Sequence, residues 1–447
     1  MAIRFQQKLF KQGPICSSTE MGDEDKWLQT INNNLHQAKK DEFSGKWKKL
    51  CIYRVPQTLK EYNPEAYKPK LVSFGPYHNF DPHLREAEAH KWRALHFMLK
   101  RNNHKINLYI DAVRKLEVLA RCCYEGELSL TSDQFVEMMV LDGCFLVEFL
   151  LGLNDGFVAL GYPSDDPFFN IEILRETILS DIILLENQIP FFILLQILSI
   201  QLPSIDCNRF LIQLSIKPFH QRISTIVFKK ETIYEEGFHI LDILRRSQLL
   251  GNLEKIDLNP EIEDQIVPCV SKLKEVGMKF EIRDDHPFWA VEFRGRALRM
   301  PRLLVHDYTK SLFLNLIAFE QRHSGCNKVI TSYSVLMGML IASPEDSEYL
   351  NRIGIIQNYL GSNSDVVELF NNMNKGVVFY SSAYINAIAN EINRYYNRRW
   401  NAWRANLKQT YFRNPWSIIS FVAAALLLIL SFIQSFFSVI QYYKPRT

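Results

Sequence analysis

This sequence lacks most of the marks by which a chain declares its chemistry. It has no GxxxxGK(S/T) loop, no GxGxxG, no HExxH and no GxSxG. Those absences disfavour P-loop nucleotide hydrolysis, ordinary dinucleotide use, zincin proteolysis and the commonest serine hydrolases. No CxxC occurs either, and the eight cysteines follow no zinc spacing. The expectation is free, mostly buried thiols in a reducing compartment. The adjacent Cys122 and Cys123 are too strained as neighbours for a ready disulfide. No Asn-x-Ser/Thr sequon is present, which points to a body that never meets the glycosylation machinery. Residues 1–18 lack a continuous apolar core, because Gln6, Gln7, Lys8, Lys11 and Gln12 interrupt it, so no secretory signal is expected. Met1-Ala2 offers no glycine for myristoylation.

Neither sign of charge dominates. Lys and Arg number 52 against 49 Asp and Glu, and the net charge of +3 is too small to imply nucleic acid. With 47% hydrophobic and 23% charged residues the composition is that of a globular protein, and 30 phenylalanines suit a large core.

One long hydrophobic run is present. Residues 417–440, SIISFVAAALLLILSFIQSFFSVI, contain no charge and no proline. As a helix they span roughly 36 Å, enough for a hydrocarbon layer of ~30 Å. Trp416 stands at one end and Tyr442 and Tyr443 at the other, where interfacial aromatics belong. Arg394, Arg398, Arg399, Arg404, Lys408 and Arg413 precede the run, and only Lys444 and Arg446 follow it. Counting positive charges places the body in the cytosol, as a single-pass protein with a C-terminal anchor at the plasma membrane or endoplasmic reticulum. The basic flank would also suit anionic headgroups.

The expected fold is mainly α, with one large helical domain over 46–410. A tail covers 1–45, partly helical over 27–40, and flank and anchor fill 411–447. Prolines 56, 64, 69, 76 and 82 forbid long helices early on. Apolar residues at three- and four-residue spacing predict helices over 85–101 and 105–124. Another starts with a capping residue at Ser132. The oily stretch 171–200 reads as two buried helices meeting at Pro190. Residues 203–232 look looser, and 234–250 is helical. About residues 277–304 the period falls to two, predicting a small inserted antiparallel sheet. Helices return from Lys310, over 365–371 and over 382–407.

Six ordered segments then carry a resemblance. They are Ile52-Tyr53-Arg54-Val55-Pro56, the run from Val72 to His78, His90-Lys91-Trp92, Leu141-Asp142-Gly143-Cys144-Phe145, the run from Leu185 to Phe192, and the run from Leu314 to Gln321. Over roughly 47–440 the chain resembles the plant family known only as domain of unknown function 247. It departs from the family at Leu298-Arg299-Met300-Pro301, where relatives usually carry an acid. The resemblance implies a plant protein with one C-terminal membrane helix and no agreed enzymatic activity. Some grass relatives are proposed as pollen-side self-incompatibility determinants, that is, recognition proteins.

The polar residues inside these motifs are the candidate site: His90, Lys91, Trp92, Asp142, Glu186, Asn187, Gln188 and Glu320. A buried carboxylate needs a partner. For Glu186 the candidates are Arg54, Lys91 and His90. Such acids either cross-bridge helices or act as a general acid–base with raised pKa. His78, His83, His90, His96 and His104 follow no metal template. No cofactor, metal, nucleic acid or small-molecule substrate is therefore inferred. The expected partners are the bilayer, through 417–440, and an unidentified protein. Two functions stand against each other: a membrane-tethered recognition or signalling protein without catalysis, and a membrane-bound enzyme of unfamiliar type using Asp142 or Glu186.

Overall fold

The computed structural model describes residues 23–43, 46–203, 205–219, 237–249, 266–284, 286–378, 383–398 and 415–443. It divides into residues 1–50 and 51–447. The first unit holds α1 (Asp23–Phe43) and α2 (Lys46–Lys49). Trp27, Leu28 and Leu35 on α1 are exposed.

The second unit begins with an irregular strap punctuated by α3 (Gln57–Lys60) and short 3₁₀ turns. Then come α4 (Arg85–Asn102), α5 (Asn107–Arg114), α6 (Glu117–Cys122) and α7 (Ser132–Asp155). The helix expected over 105–124 is thus broken between α5 and α6. The cap of α7 is Thr131 rather than Ser132: its side chain accepts from Gln134 N–H, and Gln134 returns a bond to Thr131 N–H. Seventeen residues of α7 are buried on all sides, so it forms the centre, packed by α4, α5 and α9 (Phe191–Gln201). Phe145 and Phe149 of α7 stack in a ring cluster with Phe157, Phe168 and Phe169.

Between α8 (Glu172–Ile182) and α9 the helices do not meet at Pro190. Residues 183–190 are a buried, non-helical linker, and Pro190 precedes the first turn of α9, where its missing N–H costs nothing. Then follow α10 (Cys207–Ile216), within the stretch expected to be loose, and α11 (Ile240–Leu249).

A short α12 (Val270–Glu275) leads to β1 (Lys279–Ile282), β2 (Glu292–Arg294), β3 (Ala297–Met300) and β4 (Leu303–Val305). Strands β2 and β3 form the expected antiparallel hairpin, but β1 pairs parallel to β3 on its other edge. Alternation marks a strand without giving its direction. The long connection before Glu292 lets the chain cross over. β4 pairs parallel with the distant β5 (Ile356–Asn358) in a separate ladder.

The second half is built on α13 (Asp307–Arg322), which packs against α14 (Val329–Leu340) and α16 (Asn363–Met373). α15 (Pro344–Arg352) opens with a Ser343–Asp346 capping box. The sequence reading singled out neither α14 nor α15. α17 (Ala383–Tyr396) covers the start of the helix expected over 382–407. Its continuation falls outside the described residues, as do Arg399, Arg404, Lys408 and Arg413. The last helix is Pro415–Tyr443. Its segment Ile419–Ile440 is, among the described residues, the one long and apolar enough to cross a membrane, and no part of it is buried.

Candidate functional site: buried acids that clamp the strap

The strap over 51–78 has no long helix or sheet to satisfy its backbone, because its prolines forbid one. Side chains from the helical body supply the missing partners. Asp181, at the end of α8, accepts from the N–H groups of Lys70, Leu71 and Val72 at 2.8, 2.8 and 2.9 Å. Asn187 accepts from Phe74 N–H at 2.7 Å and donates to Val72 O at 3.0 Å. Asp142, inside α7, accepts from Gly75 N–H at 2.8 Å. Glu186 accepts from Val55 N–H at 2.6 Å. Gly75 is required here: its φ is 75°, and a Cβ would sit 2.7 Å from the Gln188 carbonyl oxygen.

Two ion pairs run through the clamp, the first fully buried and the second part-exposed at its lysine. Lys91 of α4 is fully buried and donates to Asp142 at 2.6 Å, to Glu88 at 2.6 Å and to Ser73 Oγ at 3.3 Å. Glu186 is only 3% exposed and pairs with Lys60 at 2.8 Å, with His78 Nε2 at 3.7 Å. None of the three partners proposed for Glu186 from sequence is the one found. Arg54 instead lies 4.3 Å over the Tyr77 ring, Lys91 belongs to Asp142, and His90 stacks on Phe168 at 3.9 Å. Trp92 is exposed.

Gln188 donates to the carbonyls of Ile182 and Leu184 and accepts from Leu241 N–H, so it stitches the linker to α11. Glu320 lies elsewhere, in α13. It pairs with Arg245 at 3.1 Å and caps α14 through Ile330 N–H, Thr331 N–H and the Thr331 hydroxyl. Arg394 and Arg398, near the end of α17, are exposed. Sequence reasoning missed Asp181, Lys60 and Asn315, whose amide bridges Leu185 N–H to the Ala66 carbonyl. An acid in the oily run Leu179-Ser180-Asp181-Ile182 carries the same signal as Glu186 and was available to find.

Burial pushes Asp142 up to about 6, against the Lys91 charge and hydrogen bond. Burial does the same to Asp181, against three N–H donors, again to about 6. Burial favours a neutral Lys91, but Asp142 and Glu88 outweigh it and hold the ammonium above its ordinary range. At neutral pH the pair is therefore ionic, with both Asp142 oxygens engaged. Burial disfavours the charged form of Glu320 as well, and its pKa is raised despite Arg245. Among the described residues no group of His, Cys, Asp and Glu could hold a metal ion.

His239 completes the clamp from the other side. Its Nδ1 accepts from Asp242 N–H, so Nε2 carries the proton and donates to Cys51 O at 3.1 Å. Burial drives its pKa down to about 4, against the pull of Asp242. The unfolded chain takes up this proton near pH 6.5, the folded chain only near 4. His239 therefore contributes stability that is complete above 6.5 and lost as pH falls toward 4. Asp142 and Asp181 work in the opposite sense over 3.8 to 6, so a comparison with a variant is needed to isolate the histidine. In His239→Gln the stability gap to wild type should shrink by about 2–3 kcal/mol between pH 7 and 4.5. Urea unfolding at the two pH values measures it, and a gap that does not change with pH refutes the assignment.

Fold and site together define a helical body whose buried acids grip an irregular N-terminal strap, with an apolar C-terminal helix. The chain belongs to the plant family DUF247, plant proteins of unknown function, which matches residues 52–430. It is 34% identical to a UPF0481 protein of Arabidopsis thaliana over 91% of this chain and 89% of that one. It is 24% identical to a putative UPF0481 protein of the same plant, over 95% and 97%. No solved structure matches it.

Proposed function

We propose that this chain is a single-pass membrane protein, anchored by its C-terminal helix with the body in the cytosol, that works by binding another protein rather than by catalysis. The observation carrying this reading is the helix Ile419–Ile440, apolar along its length and unburied. A soluble protein has no reason to leave such a surface in water. The basic residues ahead of it support the cytosolic orientation. The state of the motif acids supports binding over catalysis. Asp142 has a cation and an N–H on its two oxygens, and Glu320 has a guanidinium and the N-terminus of α14. Acids so engaged, and so deeply buried, support a structural role. Recognition of the self-incompatibility type, proposed for some grass relatives, is the finer form of this reading.

Protease protection on sealed membranes, with a tag at each end, tests the arrangement. The body and its N-terminal tag should be digested from the cytosolic side and the C-terminal tag protected. A protected body overturns the orientation. A second reading, an enzyme, rests on Glu186, because its partner Lys60 is 31% exposed and brings that carboxylate near water.

A further inference from the structure

The start of the strap runs beside the chain that follows α6. Cys51 N–H and Ile52 N–H both donate to Cys123 O, at 3.1 and 2.8 Å, and Glu125 N–H donates to Ile52 O at 3.0 Å. These bonds make a parallel bridge between Ile52 and Tyr124. The bond from Cys51 N–H to Cys123 O, where α6 ends, puts the backbones of the two cysteines in direct contact. Two Cα atoms flanking such a backbone hydrogen bond are on the order of 5–6 Å apart. That falls inside the Cα separation of roughly 4.4–6.8 Å that a disulfide requires. Cys123 is the first influence on the Cys51 thiol, and its own Sγ donates to the Leu119 carbonyl at 3.5 Å. Both are free and buried. Nothing in the clamp uses them.

We propose that Cys51 and Cys123 form a reversible disulfide, a redox clip that locks the strap to the corner between α6 and α7. The oxidant is a peroxide of the hydrogen peroxide class. The two thiols give up two protons and two electrons, one S–S bond forms, and the peroxide O–O bond breaks to leave two waters. A thiol reductant returns the electrons and protons and restores the pair. The thiolate is the reacting form. The Cys123 side chain, and then burial, push the Cys51 thiol well above its ordinary range. Oxidation is therefore slow at neutral pH and speeds up as pH rises. The clip closes a long loop, from 51 to 123, and so stabilises the folded state mainly by restricting the unfolded one.

The test uses the full chain in detergent. It is treated with hydrogen peroxide at pH 7 and 8.5, its remaining thiols are alkylated under denaturing conditions, and it is digested with trypsin and a glutamate-specific protease. Mass spectrometry should find the peptide 50–54 joined to the peptide 122–125, with fragmentation placing the bond on Cys123. The joined species should form faster at pH 8.5, melt at a higher temperature than the reduced protein, and separate with dithiothreitol. Cys122→Ser should retain the cross-link and Cys51→Ser should lose it. Separately alkylated Cys51 and Cys123 after prolonged oxidation, or a bond to Cys122 instead, overturn the proposal. The wild-type peptide map decides the question even if Cys51→Ser fails to fold.

Discussion

Replacing Lys91 with methionine should cost the fold about 3–5 kcal/mol, the range for breaking a buried ion pair from one side. Methionine fills the space of the aliphatic stem, so the loss comes from charge and not from a cavity. Asp142 would keep Gly75 N–H on one oxygen and lose the ammonium on the other. A carboxylate in that position has no water to turn to. Glu88, part-exposed, can swing outward and adds little. The double variant Lys91→Met/Asp142→Asn should recover a large part of the loss, since the amide oxygen still accepts from Gly75 and no net charge stays buried. The coupling between the two substitutions should exceed about 1 kcal/mol. Urea unfolding of the full chain in detergent measures all three variants. A single variant within about 0.5 kcal/mol of wild type would mean that Asp142 is already neutral in the fold.

Removing residues 415–447 should move the protein from the membrane pellet to the soluble fraction. The span Ile419–Ile440 contains fourteen Leu, Ile, Phe and Val residues. At roughly 0.3–0.6 kcal/mol each near the bilayer centre, these favour insertion by about 4–8 kcal/mol. Two arginines, as in Leu428→Arg with Ile429→Arg, should cancel most of this, because each adds about 2.5–3.5 kcal/mol at the centre. Carbonate extraction and flotation of the intact, truncated and doubly substituted chains read the effect. Equal partition of the truncated and intact proteins would remove the basis for an anchor.

The two effects differ in how far they could be read from residues alone. Periodicity placed α4, α7, α13 and α16 within a few residues of where they lie. Their apolar stripes are local, and a buried stripe needs only some neighbour, not a particular one. Periodicity joined α5 to α6, because the stripe continues across a break that the hydrogen bonds do not. It also missed α14 and α15, the first apolar nearly all round and the second short and defined by its cap. In the sheet, alternation in β1 was plain, yet its parallel alignment with β3 was not, since direction is a property of the connection.

The candidate site divides the same way. That Asp142, Glu186, Asn187, Gln188 and Glu320 are structurally special follows from finding polar groups in oily helices, where each demands a partner. Which partner depends on where a distant part of the chain returns. Lys60 reaches Glu186 across 126 positions, and Arg245 reaches Glu320 across 75. Cys51 and Cys123 are likewise distant in sequence and adjacent in space. The sequence by itself determined the apolar span, the helical class and the list of acids in need of counterparts, because transfer to lipid, helical period and burial cost are local and additive. Only the tertiary structure decided the pairings, because a proline-broken strap carries no period, and its register is set by the side chains that capture its N–H groups.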